Sequence, residues 1–67
     1  MGANAPPVIV ICDVRDAPAD AASVDVLARL QLVAKRAGCR MRLRNASADL
    51  LGLVAFMGLA DVLPEER

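Results

Sequence analysis

Three aspartates, Asp13, Asp16 and Asp20, crowd one short stretch of the chain. Carboxylates at that density can hold a hard divalent cation such as Mg²⁺. Acidic loop residues are more often simply solvated, and nothing in the linear spacing makes these three converge. The chain has no His, and no Ser or Cys has an evident base beside it. General acid–base and nucleophilic chemistry therefore find no candidate residues, and the chain reads as a non-enzyme with no metal or cofactor. Cys12 and Cys39 lack the close spacing of a zinc or redox motif. Both fall in apolar, strand-like segments, where a free thiol behaves as a small hydrophobe. Arg40, Arg42 and Arg44 alternate with Cys39, Met41 and Leu43. That row can serve an acidic partner, but a period of two is what a solvated sheet face produces, and the solvated reading is preferred.

These residues are positioned by a short series of elements centred on Asp20 to Gly38. Val8-Ile9-Val10-Ile11-Cys12 is a continuous, mostly β-branched run, which suits a strand covered on both faces or at least a central one. Asp13 to Ala19 is a loop at its carboxyl end, where sites tend to lie in open α/β sheets. A helix opens near Asp20 to Ser23, either of which can cap it, and Asp25 suits the positive end of its dipole. Val26, Leu27, Leu30, Val33, Ala34 and Ala37 recur at three- and four-residue steps and predict the inward stripe. Asp25 and Arg29 form a surface pair. Lys35 and Arg36 complement the C-terminal end, and Gly38 supplies the left-handed stop. Cys39 to Arg44 is a second strand. Asn45-Ala46 is a turn, and Ser47 caps a last helix from Ala48 to about Met57, ended by Gly58. Asn45-Ala46-Ser47 also matches a glycosylation sequon, read as a chance match. The order strand, helix, strand, helix with short connections predicts a parallel pair joined by a right-handed crossover.

The last helix is unusual. Leu50, Leu53, Val54 and Met57 form its inward face, yet the opposite side carries Leu51, Gly52 and Ala55, with Phe56 at its margin, and no charge follows Asp49. Apolar surface of that kind marks an interaction site, so Leu51 and Phe56 are candidate partner-binding residues.

At 67 residues the chain allows one small domain, which buries only about 60% of its unfolded surface. Two strands make a thin sheet. Either the N-terminal lead-in or the terminal segment adds a strand, or a second chain does, and a homodimer is expected. Eight Lys+Arg balance eight Asp+Glu, so no net field draws the chain to nucleic acid or an anionic membrane. The single aromatic, Phe56, offers no base-stacking platform. No run reaches the roughly 18 apolar residues of a membrane span. The start, Met-Gly-Ala-Asn-Ala-Pro-Pro, lacks the basic opening of a signal peptide, and a cytoplasmic protein is expected. Residues 1–7 read as a flexible lead-in, 8–63 as the domain and 64–67 as a solvated tail.

Taken together, three stretches resemble the later part of a STAS domain, the family of anti-sigma factor antagonists and sulfate-transporter tails. One is the apolar strand followed by an Asp-led small-residue turn, Asp20-Ala21-Ala22-Ser23-Val24. Another is Lys35-Arg36-Ala37-Gly38-Cys39-Arg40-Met41-Arg42-Leu43. The third runs from Ser47 through Leu53-Val54 to Gly58-Leu59-Ala60-Asp61-Val62-Leu63, similar in spacing to the family's Ser, Leu-Phe, Gly-Leu, Val-Leu pattern. The resemblance covers about Val8 to Leu63 and implies a small β-α-β-α domain of the α/β class with helices on one face of the sheet.

It also implies a regulatory protein-interaction module of bacterial signalling. Its partner would be an anti-sigma factor, a kinase-like protein or a subunit of a larger assembly, docked at Asp20, Ala21, Ala22, Ser23 and Val24. Two departures stand out. The family's N-terminal β-hairpin is largely lacking. Family members under phosphorylation control carry Asp-Ser-Ser-Gly at the turn, whereas here the serine positions fall on Ala21 and Ala22, and Ser23 occupies the glycine position. Ser23 is then the sole phosphoacceptor candidate at the turn, with helix capping its expected role. The alternatives are a self-assembling structural homodimer and a small-molecule or nucleotide-binding subunit. The last is weakened because no Gly lies between Gly2 and Gly38.

Overall fold

The computed structural model describes residues 6–66. The expected lead-in falls largely on residues 1–5, outside that range, as does Arg67. The chain folds as a small mixed α/β domain with β1 at Val8–Asp13, α1 at Ala21–Arg36, β2 at Cys39–Arg44 and α2 at Ala48–Phe56. β1 and β2 pair in parallel, from Val8 opposite Cys39 to Asp13 opposite Arg44.

Local chemistry explains the element ends. Asp20 sits in extended conformation and accepts the Ser23 N–H at 2.7 Å, so it, not Ser23, caps α1. Asp25 lies past the first turn and instead meets Arg29 at 3.0 Å. At the other end the Ala37 N–H bonds back to the last-turn carbonyls, and Gly38 turns the chain at φ +79°. Ser47 caps α2 by accepting the Leu50 N–H at 3.1 Å. Gly58, at φ +73°, lets the Leu59 N–H reach back to the Val54 carbonyl at 2.9 Å, a Schellman-type stop.

The core lies on one face of the sheet. Val24 and Leu27 from α1, Met41 and Leu43 from β2, Leu50 and Val54 from α2, and Val14 and Leu63 from the connections form one buried cluster. Arg40, Arg42 and Arg44 project from the other face and are exposed. α1 lies against β2 and α2 and does not approach β1.

Three expectations are corrected here. β1 is an edge strand, open on both faces: Val8, Ile9, Val10 and Ile11 are all exposed. Its β-branched run satisfies strand preference without being buried, because α1 covers its neighbour. The inward stripe of α1 is Val24, Leu27 and Gln31, whereas Val26, Leu30 and Val33 are exposed. The apolar periodicity was in phase with a flank of the helix, and a polar residue at the centre of the true inward face concealed it. Residues 64–66 are not a free tail. The Pro64 carbonyl accepts the Leu43 N–H at 2.9 Å, the Glu66 N–H donates to the Leu43 carbonyl at 2.7 Å, and Glu65 bridges to Leu43 in parallel.

Gln31 is the key polar group of the core. It is 2% exposed. Its Nε2 donates to the Met41 carbonyl at 2.9 Å and the Val62 carbonyl at 2.8 Å, while its Oε1 accepts the Met41 N–H at 2.8 Å. The side-chain amide thus acts as one residue of a neighbouring strand. Together with residues 64–66 it satisfies the outer edge of β2 at Met41 and Leu43.

Candidate functional site

The loop from Asp13 to Asp20 and the first turn of α1 border the site the sequence points to. Asp20 is exposed and committed to its cap. The backbone N–H of Ser23, and then its hydroxyl, hold the Asp20 carboxyl below the usual carboxylate range. Ala21 and Ala22 are exposed on the helix surface, and Ser23 is half-buried. Val24 is 0% exposed, which corrects its assignment as a partner-binding residue: it points into the core and no docked protein can touch it. Successive helical residues are rotated by about 100°, which turns Val24 into the core while Ser23 stays at its margin.

Beside this turn lies a hollow of about 300 Å³, lined by Ala17, Ala22, Val26 and Leu27 with Asp20 and Ser23. Its floor is apolar, and the only charge in its lining is the Asp20 carboxylate. Val26 and Ala17 were missed by sequence reasoning. Val26 belongs to the stripe that the spacing predicts to face inward, and Ala17 carries no chemical signal of its own.

The other two candidates sit on α2. Leu51 is half-buried, and Phe56 is 88% exposed at the helix end. Neither lines the hollow, so the structure does not bring the turn and the α2 residues into one pocket.

The three aspartates do not converge. Asp13 accepts the Arg15 N–H at 2.9 Å and the Asn45 side-chain amide at 3.2 Å. The Arg15 N–H bond is the main cause of its lowered pKa, with Asn45 and the charges of Arg15 and Arg44 adding to it. Asp13 therefore ties the ends of the two strands together. Among the described residues, no group of three or more His, Cys, Asp or Glu stands close enough to hold a metal ion. Cys12 and Cys39 are free and half-buried. They belong to opposite strands four register positions apart, about 13 Å at strand spacing, beyond disulfide reach. On the open sheet face Arg42 lies 3.8 Å from Glu66, and Arg44 stands in register with Asp13, so the arginine row is partly balanced by the chain's own carboxylates. No helix among the described residues is long and apolar enough to cross a membrane.

Comparison with protein-family models, with curated proteins and with solved structures finds no match for the chain. The fold and the hollow themselves are therefore the basis for a functional reading.

Proposed function

We propose that this chain is a non-enzymatic, STAS-like protein-interaction module of the anti-sigma factor antagonist type, working without a phosphate switch. The observation that carries the reading is the apolar hollow at the start of α1, walled by Ala17, Ala22, Val26 and Leu27 with Asp20 at its rim. A partner's apolar side chain gains by burial there. The ionised Asp20 offers a charge to a basic group of the same partner, which adds orientation more than affinity. Phe56, largely presented to solvent, is the second anchor, since aromatic side chains dominate such contacts.

In the family that the sequence resembles, phosphorylation control works by placing about −2 charge at the corresponding turn. Ala21 and Ala22 have no hydroxyl to modify. Ser23 has its backbone N–H on the Asp20 carboxylate at 2.7 Å, so a phosphate on Ser23 meets a neighbouring negative charge. The module is accordingly held in its docking form. A small-molecule reading fits less well, because the hollow's lining contains no basic side chain to hold a phosphate.

The test is affinity capture from the native cytosol with quantitative mass spectrometry, run beside Ala22→Arg and Asp20→Lys. Arginine is a good helix former and at position 22 fills the hollow from an exposed site. A signalling protein recovered by the unmodified chain and lost with Ala22→Arg supports docking at the hollow. Equal recovery by both chains, or no specific recovery, rejects it.

A further inference from the structure

The outer edge of β1 offers a different surface, remote from the hollow's function. The Val8 N–H donates to the Gly38 carbonyl at 3.2 Å. Alternation along a parallel ladder then directs the backbone groups of Val8, Val10 and Cys12 toward β2 and those of Ile9 and Ile11 outward. No described residue pairs with this edge. Edge strands are ordinarily protected by charge, proline or a bulge, yet Val8 to Cys12 carries none of these.

We infer that a second copy of this chain occupies that edge, pairing β1 with β1 antiparallel about a two-fold axis near Val10. Charge and closure point to this occupant. Val8 is 64% exposed and Ile11, the least open of the four, 37%. These four side chains present about 300 Å² per copy, or ~600 Å² in the pair, which with the edge hydrogen bonds corresponds to a weak, concentration-dependent contact.

The charge pattern selects the orientation. With Val10 on the axis, Ile9 falls opposite Ile11 of the second copy, and Asp13 falls opposite Pro7, where the ladder ends for want of an N–H. A parallel in-register pairing instead sets Asp13 against Asp13, which is repulsive. Ile9 and Ile11 are also the residues whose backbone groups point outward, so the antiparallel ladder uses the groups that are free. Closure follows from the far side of the sheet. Gln31 and residues 64–66 already engage Met41 and Leu43 on the outer edge of β2. Among the described residues each copy then has one open edge, and an isologous contact ends at a dimer without propagating.

Sedimentation velocity of the full chain across a concentration series tests this, with Ile11→Lys as the edge variant and far-UV circular dichroism as the fold control. The expected result is a dimer whose association weakens at least about tenfold with Ile11→Lys. A second arm places Val10→Cys in a Cys12→Ala, Cys39→Ala background. Directly opposed residues at a non-hydrogen-bonded antiparallel position have Cα atoms about 4.5 Å apart, within disulfide reach, so mild oxidation should cross-link the two copies. This arm decides the matter if the lysine variant fails to fold. A chain that stays monomeric at the highest concentration overturns the proposal. So does a dimer that survives Ile11→Lys or that Val10→Cys leaves uncross-linked. Protection of the Ile9 and Ile11 amides only on adding a different protein overturns it in favour of a foreign strand.

Discussion

The two edges of this sheet are built from similar strands and end differently. β2 alternates, with Met41 and Leu43 buried and three arginines exposed, and its outer backbone groups at Met41 and Leu43 are taken by Gln31, Pro64 and Glu66. β1 is the more apolar strand, yet it lies open on both faces and along its outer edge. The contrast shows that burial in so small a domain follows from where the single long helix lies, not from which strand is more hydrophobic. α1 rests on β2, so β2 receives the core, the buried amide and the terminal segment together. The stability of the single chain is therefore concentrated at β2, and the apolar side chains of β1 remain exposed.

Replacing the buried amide should break this contrast most severely. Gln31→Leu leaves the Met41 N–H and the Met41 and Val62 carbonyls without their partner, a loss of about 3 kcal/mol or more by the usual cost of buried unsatisfied groups. A domain of this length has only about 3–10 kcal/mol in total, so urea or thermal denaturation should show a largely unfolded chain. Gln31→Glu keeps the acceptor for the Met41 N–H but sets a carboxylate against two carbonyls. It should also be strongly destabilised at neutral pH. If Gln31→Leu unfolds with an unchanged midpoint, the closed edge is not what holds β2.

Removing residues 64–67 is expected to cost about 1–2 kcal/mol, because the chain loses two backbone bonds to Leu43 and the Arg42–Glu66 contact, with Leu63 retained. On the open side, Ile9→Thr should change the stability of the isolated chain by about 0.5 kcal/mol or less, as for an exposed position away from the core. Amide hydrogen exchange compares the two edges directly. The Met41 and Leu43 amides should be slow at every concentration, whereas those of Ile9 and Ile11 should be fast in dilute solution and slow only as copies associate.

The smallest effect concerns the rim of the hollow. The Asp20 pKa lies lower in the folded chain than in the unfolded one. Its contribution to stability is therefore full above the unfolded value of about 3.9 and is lost as pH falls through the folded value. Asp20→Asn caps at all pH values without titrating. The stability advantage of aspartate over asparagine, followed by thermal melts, should accordingly shrink on acidification below about pH 4.

Much of the architecture was legible in the sequence because it rests on local chemistry. The caps at Asp20 and Ser47, the glycine stops and the alternation of Cys39 to Arg44 each state a backbone requirement within a few residues. The burial of α1 was not legible. Val26, Leu30 and Val33 repeat as regularly as a core stripe does, and only the position of the neighbouring strand decides which flank is inside. Gln31 was hidden for a related reason, since a glutamine among apolar residues at helical spacing reads as a surface residue until its three partners, 10 to 31 positions away, are in view. Of the hollow's lining, Asp20, Ala22 and Ser23 could be named from sequence. Ala17 and Val26 required the loop and the helix flank to be brought together, and Val24 was lost to the core.

Asn45 has a consequence on a longer timescale. It ends β2 in left-handed conformation at φ +60°, and its side-chain amide donates to Asp13 at 3.2 Å. Slow hydrolysis of that amide, the ordinary chemical ageing of asparagine, would turn the clasp between the strands into two opposed carboxylates. A stored sample would gain one negative charge and loosen first at the carboxyl ends of both strands, next to the loop that forms the hollow. The age of a preparation would then be readable as a shift in its isoelectric point accompanied by faster exchange at Val14, whose N–H bonds the Arg44 carbonyl at 2.9 Å.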